Sequence, residues 1–284
     1  MIKEPSWIKE YDFSYKNFHE IPNDVFESIN QKLTHLYNEA PLVSIVIAAW
    51  NEEVNILKNI ASLADQITCF PFEIIVVDNN STDLTSKTLN KLKVRSYFQG
   101  IQGAGPARQL GMENAKGKYI LLADADCVYP KCWVEEMIKV LTEPGVVCVY
   151  GRYSFISEIG YPRWQLWILE KMKDIIAELR HIKRPYLNTF GISMGYVTEY
   201  GLKAGFIMHN TRGEDGRLSF DLMKYGKIKQ VKSDRARPWT APRTLQRDGS
   251  FFKALTSRII IESKKLLSLF SSHKPHDTKT SKND

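Results

Sequence analysis

The sequence of 284 residues predicts an α/β fold: a doubly wound, mostly parallel sheet flanked by helices, in a single main domain with N- and C-terminal extensions. Continuous apolar runs alternate with segments of helical spacing, which is the order that builds βαβ units. Polar and acidic residues follow these runs where each predicted strand ends. Because an apolar strand needs no acidic end to fold, these positions are the first indication of a binding site.

The elements follow from the spacing of apolar residues. Residues 43–49 are a continuous apolar run, as expected of a parallel strand covered on both faces. A helix capped by Asn23 or Asp24 is predicted before it, and a helical pattern follows it at residues 54–63. The remaining strands are predicted at residues 73–77, 94–98, 119–123 and 227–231. The remaining helices begin near residues 81–83 and 130 or cover residues 105–115, 162–183 and 217–225.

Residues 162–183 have the clearest amphipathic pattern of the chain. One stripe carries Trp164, Ile168, Met172, Ile175, Leu179 and Ile182. This period is typical of a helix whose apolar stripe faces the core, and we expect that arrangement here. A contact with a lipid acceptor or a membrane is the alternative.

We divide the chain into four parts. Residues 1–40 are an N-terminal helical extension, and residues 41–235 are the main domain. Residues 236–270 are a basic loop followed by an amphipathic helix, and the polar residues 271–284 are expected to be disordered. Basic residues alternate with apolar ones in residues 251–270, so this helix suits a membrane interface or packing against the domain or another subunit.

Composition narrows the class of protein. The formal net charge is +7, with much of the excess towards the C-terminus. No nucleic-acid-binding motif accompanies it, so a solvated basic face is the plainer explanation. The four cysteines lack metal-ligand spacing, and the longest apolar runs are too short to cross a bilayer. We expect a cytoplasmic protein whose membrane contact, if it has any, is peripheral and lies at the inner face.

Acidic residues close two predicted strands and open one helix. Asp124 and Asp126 follow a buried strand, and a carboxylate pair of this kind can hold Mg²⁺ or Mn²⁺ together with substrate phosphates. Asp78 closes another strand. The turn that follows accounts for the polar residues after Asp78, but it accounts less well for an acid at the end of a buried strand. Glu214 and Asp215 begin a helix, where acids favour the positive end of the helix dipole; the alternative is a general base for an incoming hydroxyl.

Five motifs occur in a fixed order, and together they resemble family 2 glycosyltransferases, which are inverting enzymes of the GT-A fold. The resemblance covers about residues 41–231. The motifs are Val43-Ser-Ile-Val-Ile-Ala-Ala-Trp-Asn-Glu-Glu53, Ile75-Val-Val-Asp-Asn-Asn-Ser-Thr-Asp83, Gly105-Pro-Ala-Arg-Gln-Leu-Gly111, Ala115-Lys-Gly-Lys-Tyr-Ile-Leu-Leu-Ala-Asp-Ala-Asp126 and Gly213-Glu-Asp-Gly216.

The resemblance implies a role for each matched residue. Asp215 is the catalytic base, with Glu214 beside it near the acceptor, and Asp126 binds the metal. Asp124 lies near the ribose and is also a candidate metal ligand. The nucleotide is expected to contact the end of the first strand, the acid of the second strand and the basic residue of the third helix. These residues are Ala48, Trp50, Glu52, Asp78 and Arg108. The motif departs from the family where Ala48-Ala49-Trp50 replaces the more usual Pro-Thr-Tyr.

The implied reaction moves a sugar from a nucleotide-diphosphate donor, with UDP the expected nucleotide, to a hydroxyl of a saccharide or lipid-linked acceptor in glycan or glycolipid assembly. The basic loop could close over the diphosphate, with Arg237, Arg243 and Arg247 as equal candidates. The Gln-x-x-Arg-Trp signature of the processive synthases is missing, which favours a nonprocessive enzyme.

Two other classes compete with this interpretation. A nucleotidyltransferase can use a similar fold with paired acids on a metal, but it needs a basic, glycine-rich loop after the first strand. Here that position reads Ala-Ala-Trp-Asn-Glu-Glu, which is acidic and lacks glycine. A noncatalytic module that binds nucleotide sugars is the other alternative, and the retained acids argue against it.

Overall fold

The structure is a computed structural model that describes residues 2–36, 38–243 and 245. Strands and helices alternate through most of it. The strands are β1 (Val43–Ala49), β2 (Phe72–Asp78), β3 (Arg95–Phe98), β4 (Tyr119–Asp124), β5 (Cys127–Val128), β6 (Val146–Tyr150), β7 (Ser154–Phe155), β8 (Met194–Val197), β9 (Lys227–Gln230) and β10 (Trp239–Thr240). The helices are α1 (Asn23–His35), α2 (Asn55–Ala64), α3 (Thr85–Asn90), α4 (Ala104–Glu113), α5 (Trp133–Leu141), α6 (Arg163–Lys183), α7 (Thr198–Ala204) and α8 (Glu214–Leu222).

Seven strands form the main sheet in the order β3-β2-β1-β4-β8-β6-β9. The four strands β3, β2, β1 and β4 are parallel, while β8 runs antiparallel to both β4 and β6. The chain runs from β1 outwards through β2 and β3, then returns to add β4 on the other side of β1. This doubly wound, mostly parallel sheet confirms the predicted fold class.

Both faces of the sheet are covered, which explains why its strands read as continuous apolar runs. Alternate residues of a strand point to opposite faces. On β1, Ile45 and Ile47 belong to one buried cluster while Val46 belongs to another. On β4, Leu121 joins the first cluster and Leu122 the second. Helices therefore bury both faces, and neither face has to be polar.

The register of the central strands brings their carboxyl ends to one level. Ala48 of β1 pairs with Asp124 of β4, and Ala49 pairs with Asp78 of β2. The two acids therefore flank the end of β1, at the point where the winding direction of the sheet reverses. In open α/β sheets, ligands bind in the crevice at this point.

The N-terminal residues pack against the main domain. Ile8, Tyr11, Phe26 and Ile29 are buried in the same cluster as the inner residues of β1. The hydroxyl of Tyr11 also donates to Asp65 at 2.9 Å. The apolar face predicted for the first helix therefore covers one side of the sheet.

The basic loop after residue 235 also enters the fold. Strand β10 lies between β5 and β7 in a second sheet of three strands, and the side chain of Trp239 is fully buried. Arg247, the amphipathic helix predicted at residues 251–270 and the tail at residues 271–284 lie outside the described residues.

The prediction that the apolar stripe of α6 faces the core is wrong. The stripe residues Trp164, Ile168, Ile175, Leu179 and Ile182 are between 38% and 78% exposed. The reason is that α6 has a second apolar face, which the period did not reveal because polar residues are mixed into it. That face buries Leu166 and Leu169 together with the charged residues Glu170 and Arg180.

Across residues 2–36, 38–243 and 245, every helix is too short or too polar for a span.

Candidate active site

One buried arginine joins acids from two distant parts of the chain. Arg108 lies on α4, and its Nη1 donates to Glu214 Oε1 at 2.6 Å and to Asp215 Oδ1 at 2.7 Å. Its Nη2 donates to Asp124 Oδ1 at 3.0 Å. We call Arg108, Asp124, Glu214 and Asp215 the arginine cluster. The end of β4 and the beginning of α8 therefore meet at one guanidinium group.

Both carboxylate oxygens of Asp215 accept hydrogen bonds. Its Oδ1 accepts from Arg108, and its Oδ2 accepts from the backbone N–H of Gly191 at 2.8 Å. Helix α8 begins after Gly213, whose φ of 88° is a left-handed conformation that glycine adopts without strain. Both acids thus occupy the first turn of the helix, where its dipole favours negative charge. The helix-start interpretation and the cluster are therefore compatible.

The pKa values of this cluster reflect burial opposed by the guanidinium. Burial raises the pKa of the Asp215 carboxyl, Arg108 lowers it, and Glu214 and Asp124 raise it again, with a net increase. The pKa of Asp124 is raised for the same reasons, and its neighbour Asp126 contributes. Burial lowers the pKa of Arg108, but the three carboxylates outweigh burial and raise it. The arginine therefore stays charged, while the carboxyls of Asp124 and Asp215 hold their protons more tightly than usual.

Gly191 is required where it stands, and sequence reasoning missed its role. A Cβ atom added to Gly191 would lie 1.9 Å from Nη2 of Arg108. Only a residue without a side chain lets the backbone approach the guanidinium so closely. The sequence shows four glycines between residues 191 and 205, but nothing local showed that Gly191 faces a residue 83 positions earlier (191 minus 108).

Backbone contacts hold the end of β4 in place. The N–H of Asp124 donates to the hydroxyl of Tyr129 at 2.9 Å, and this hydroxyl donates to the Ile192 carbonyl at 2.9 Å. The side chain of Asn59 donates to the carbonyls of Asp124 and Cys127. Tyr129 and Asn59 are fully buried, and the sequence patterns did not point to them.

A second arginine bridges acids at the ends of β1 and β4. Arg243 donates to Glu52 Oε1 at 2.7 Å and to Oε2 at 3.3 Å, and its Nη1 lies 3.5 Å from Asp126 Oδ2. Burial raises the pKa of Glu52, although Arg243 opposes the effect. Arg243 is half-exposed, with 40% of its side chain accessible, so it lies at the rim of the site.

The structure distinguishes Arg237 from Arg243, which sequence reasoning left as equal candidates for binding the diphosphate. Arg237 is buried and bonded to Ser154, to the Tyr153 carbonyl and to Asp174 on α6. It supports β7 and α6, and the structure does not bring it to the acids. Of the two described candidates, Arg243 contacts the expected nucleotide and metal residues.

The remaining predicted residues lie around the ends of β1 and β2. Asp78 is buried, and its Oδ1 accepts from the N–H of Ser81 at 3.1 Å, as expected of a turn. Ala48 is half-buried at the end of β1, and Trp50 is exposed just beyond it. An exposed indole beside buried acids suits stacking on a flat ring.

The donor atoms at Asp124 and Asp126 fit a hard divalent cation, because carboxylate oxygens are the ligands that Mg²⁺ and Mn²⁺ prefer. In the part of the chain that the structure describes, no group of three or more His, Cys, Asp or Glu side chains could hold a metal. A cation at this pair would therefore complete its shell with substrate oxygens or water. Among the residues that the structure describes, five carboxylates face two guanidinium groups here, which favours further positive charge. They are those of Glu52, Asp124, Asp126, Glu214 and Asp215.

Comparisons with known proteins agree with this architecture. The chain is 30% identical over 150 residues to glycosyltransferase AglE of Haloferax volcanii, covering 49% of each chain. It is 32% identical over 118 residues to UDP-Glc:alpha-D-GlcNAc-diphosphoundecaprenol beta-1,3-glucosyltransferase WfaP of Escherichia coli, covering 39% of this chain and 46% of that protein. The chain spans half or less of the first curated relatives that it matches.

A solved structure shares the fold. Glucosyl-3-phosphoglycerate synthase from Mycobacterium tuberculosis, in complex with Mn²⁺, UDP-glucose and phosphoglyceric acid, superposes with a TM-score of 0.53 at 20% identity. The match covers 88% of this chain and 85% of that one. At this identity it supports the GT-A fold alone. The model of the family "Glycosyl transferase family 2" matches residues 44–198, more than half of the chain. The chain therefore belongs to glycosyl transferase family 2.

Proposed function

We propose that this protein is a nonprocessive, inverting glycosyltransferase that moves a sugar from a nucleotide-diphosphate donor, with UDP as the nucleotide, to an acceptor hydroxyl. One observation carries the proposal: Asp124 at the end of β4 and Asp215 at the start of α8 converge on Arg108. An acid at the end of a strand and an acid at the start of a helix do not need to contact the same buried arginine for the chain to fold. A donor site beside a base explains their convergence.

In this proposal Asp215 is the general base. As the acceptor oxygen forms its bond to the anomeric carbon, its proton passes to the Asp215 carboxylate and the bond from that carbon to the diphosphate oxygen breaks. Both oxygens of Asp215 already accept one hydrogen bond each, from Arg108 and Gly191. A carboxylate has about four acceptor positions, so it can still receive the hydroxyl. The raised pKa suits a base that works near neutral pH.

We assign the metal to Asp126 and Asp124, with Mn²⁺ or Mg²⁺ as the cation. When bound, it stabilises the charge that develops on the leaving diphosphate. The support is the oxygen donor pair, the excess of carboxylates, and the Mn²⁺ in the synthase of similar fold. Arg243 would leave the carboxylates and contact the diphosphate, because its planar guanidinium binds phosphate oxygens well.

The donor nucleotide would lie over the ends of β1 and β2. Glu52, Asp78, Trp50 and Ala48 surround that position. The comparison proteins support UDP as the nucleotide, since the Escherichia coli relative is named for UDP-Glc and the synthase was solved with UDP-glucose. Arg108 contacts the acidic side chains of the proposed site. We therefore propose that it positions Asp124 and Asp215 and does not bind the base.

The acceptor we propose is a saccharide, lipid-linked in the assembly of envelope glycans. The support is the Escherichia coli relative, whose name specifies a diphosphoundecaprenol-linked acceptor. We further propose that the reaction takes place at the cytoplasmic face of the membrane.

Thermal unfolding with nucleotides and metal tests the proposal. UDP with Mn²⁺ should stabilise the protein, by about 2.7 kcal/mol at a ligand concentration 100 times the Kd, and UDP alone should stabilise it much less. The shift should disappear in Asp126→Ala and remain in Glu199→Ala, a matched control that removes an exposed acid on α7.

Transfer assays then separate donor binding from chemistry. Asp215→Asn should keep the UDP and Mn²⁺ shift but lower the rate of sugar transfer by about 100-fold to 10,000-fold, the usual contribution of a general base. Full activity in Asp215→Asn would refute the assignment of the base. If no nucleotide stabilised the protein against thermal unfolding with any metal, the proposed function would be refuted.

A further inference from the structure

Arg243 places one nitrogen between two acids that follow different strands. Its Nη1 donates to Glu52 Oε1 at 2.7 Å and lies 3.5 Å from Asp126 Oδ2. Glu52 follows β1 and Asp126 follows the neighbouring strand β4, so one guanidinium joins the two central strands where they end. A positive group between two carboxylates offsets their mutual repulsion. Arg243 therefore has the same electrostatic effect here as a bound cation would have.

The other oxygen of each carboxylate has its own partner. Asp126 Oδ1 accepts from the thiol of Cys127 at 3.3 Å, and Glu52 Oε2 accepts from Asn55 Nδ2 at 2.7 Å. The second oxygen of Asp126, Oδ2, is the one that lies near Arg243. A divalent cation that binds Asp126 would therefore have to compete with this guanidinium for the same carboxylate.

The backbone around Arg243 is fixed close to these acids. Strand β10 pairs with β5, and β5 begins directly after Asp126. Pro242 and Leu245 are buried on either side of Arg243, and the N–H of Leu245 donates to the carbonyl of Pro242 at 2.9 Å. The side chain of Arg243 is half-exposed, so it has room to turn away from the acids. The chain thus holds the arginine in place but leaves its guanidinium free to exchange partners.

The contact with Asp126 contributes little to folding. Solvent reaches both side chains, and ion pairs of this kind add little to the free energy of unfolding. Trp239 and Leu245 are fully buried, so this segment is anchored without the ion pair. The position of Arg243 between two acids of the proposed site therefore needs a functional explanation.

We propose that Arg243 takes the place of the metal until the nucleotide arrives, so that metal and nucleotide bind cooperatively. This inference rests on the proposed function, in which Asp126 and Asp124 hold the metal. Without a nucleotide, a divalent cation has to displace the guanidinium and remain close to its positive charge, which costs free energy. A diphosphate offers Arg243 phosphate oxygens in exchange for Asp126, and it offers oxygens to the metal as well. Each ligand therefore raises the affinity for the other.

Manganese binding without a nucleotide tests the competition directly. The EPR signal of free Mn²⁺ is followed as the full chain is titrated at constant ionic strength. Arg243→Ala should bind Mn²⁺ alone about 10-fold more tightly than the wild type, because no guanidinium competes for the carboxylates. The same variant should bind the nucleotide more weakly. A merely structural role of Arg243 would lower both affinities, so opposite changes distinguish the two roles.

Arg235→Ala is the matched control for Arg243→Ala. It removes the same charge from the same segment, but Arg235 is 67% exposed and pairs with Glu136 on α5 instead of with the acids of the site. Its affinity for Mn²⁺ should equal that of the wild type. This control separates the local competition from the effect of a lower net charge.

A second titration measures the cooperativity. The Kd for Mn²⁺ is determined again with saturating UDP, and the ratio of the Kd without UDP to the Kd with UDP gives the coupling between the two ligands. This ratio should be about 10-fold larger in the wild type than in Arg243→Ala, because the diphosphate releases Asp126 from the arginine only where the arginine is present.

The outcomes distinguish this proposal from the proposed function. If wild type and Arg243→Ala bound Mn²⁺ alone equally well, and UDP still raised the affinity in both, the competition would be refuted while the proposed function stood. Weaker binding of Mn²⁺ alone by Arg243→Ala would also refute it, since Arg243 would then support the metal. If neither protein bound Mn²⁺ with or without UDP, this proposal and the assignment of the metal would both be wrong.

Discussion

Arg108 and Asp215 are joined by a hydrogen bond of 2.7 Å between two buried side chains, and the same guanidinium nitrogen also donates to Glu214. This single contact ties α4 to α8, which are separated by about a hundred residues of sequence. A buried carboxylate costs much free energy unless it is paired and hydrogen-bonded. The guanidinium therefore offsets part of the cost of burying the Asp215 carboxylate.

Replacing Arg108 should affect stability and catalysis together. Arg108→Lys keeps one positive charge, but an ammonium group cannot reach three carboxylates in the geometry of the planar guanidinium. We expect a loss of about 3–5 kcal/mol in the free energy of unfolding, as for a broken buried ion pair, and a roughly 100-fold loss of turnover. Urea unfolding and steady-state rates measure the two effects.

Arg95→Lys is the matched control for Arg108→Lys. The Arg95 side chain is 35% exposed and pairs with Glu73 away from the acids. Because Arg95→Lys keeps a positive charge beside Glu73 and the arginine end of this pair is open to solvent, we expect a change below about 1 kcal/mol and normal turnover. Equal effects of the two substitutions would show that the arginine cluster is no more important than an ion pair away from the acids.

Adding a methyl group at Gly191 should displace Arg108 without removing it. The new Cβ atom would lie 1.9 Å from Nη2, so Gly191→Ala forces the guanidinium or the backbone to move. We expect a cost of about 1–3 kcal/mol, typical of an overpacked interior, with a marked loss of turnover. Gly100→Ala is the control, because its nearest atom would be 3.8 Å away. Wild-type turnover in Gly191→Ala would contradict the required close approach.

Stability should depend on pH through Asp215 with a definite sign. Burial raises the folded-state pKa of Asp215, so the folded protein keeps a proton that the unfolded chain has already lost. Between the ordinary carboxyl pKa of about 4 and the raised value, the free energy of unfolding contributed by this group therefore falls as pH rises. Asp215→Asn should remove that contribution.

The measurement compares how the free energy of unfolding depends on pH in the wild type and in Asp215→Asn. Free energies of unfolding for wild type and Asp215→Asn, without metal, should draw apart as pH rises through this interval, with the variant relatively more stable at neutral pH. Turnover of the wild type should rise over the same interval, since the base must be ionised. A difference between the curves that shrinks with rising pH would refute the raised pKa.

Arg243 and Arg237 should behave as different kinds of residue. Arg243 is half-exposed at the rim, so Arg243→Ala should change the free energy of unfolding by less than about 1 kcal/mol. We expect it to raise the KM for the nucleotide sugar about 10-fold, because one charged contact is worth roughly 1.5–3 kcal/mol.

Arg237→Ala is the contrasting variant. Arg237 is buried and bonded to Ser154 and Asp174, so its loss should destabilise the fold by about 3–5 kcal/mol. The protein that remains folded should keep a normal KM for the donor. A normal stability with a raised KM would place Arg237 at the diphosphate and contradict the position found here.

Local patterns predicted most of the parallel sheet. The run at residues 43–49 became β1 with the same bounds, since this strand is buried on both faces and is apolar at every position except Ser44. Strand β8 was missed, because its four residues, Met194–Val197, include a glycine and are too short to show a period. It is a strand only because β4 and β6 supply partners on both sides.

Local patterns were also insufficient for α6. The sequence indicated an apolar stripe, but the structure buries a different side of the helix. Periodicity shows that a helix has an apolar face, but it does not show which face the rest of the chain covers. Leu166 and Leu169, mixed with Glu170, were the buried side. The Glu170 carboxylate can be buried there because the Phe155 N–H and Arg163 both donate hydrogen bonds to it.

The sequence by itself determined the parallel α/β core and the chemical type of the acids at Asp78, Asp124, Asp126 and Asp215, because strand burial and strand ends are properties of short segments. The tertiary structure alone decided which charged groups meet. Arg108 and Gly191 acquire their roles from α4, α8 and the segment before β8 approaching one point. Contacts between residues about a hundred positions apart depend on how the helices and the sheet pack against each other, and a local sequence pattern does not specify that packing.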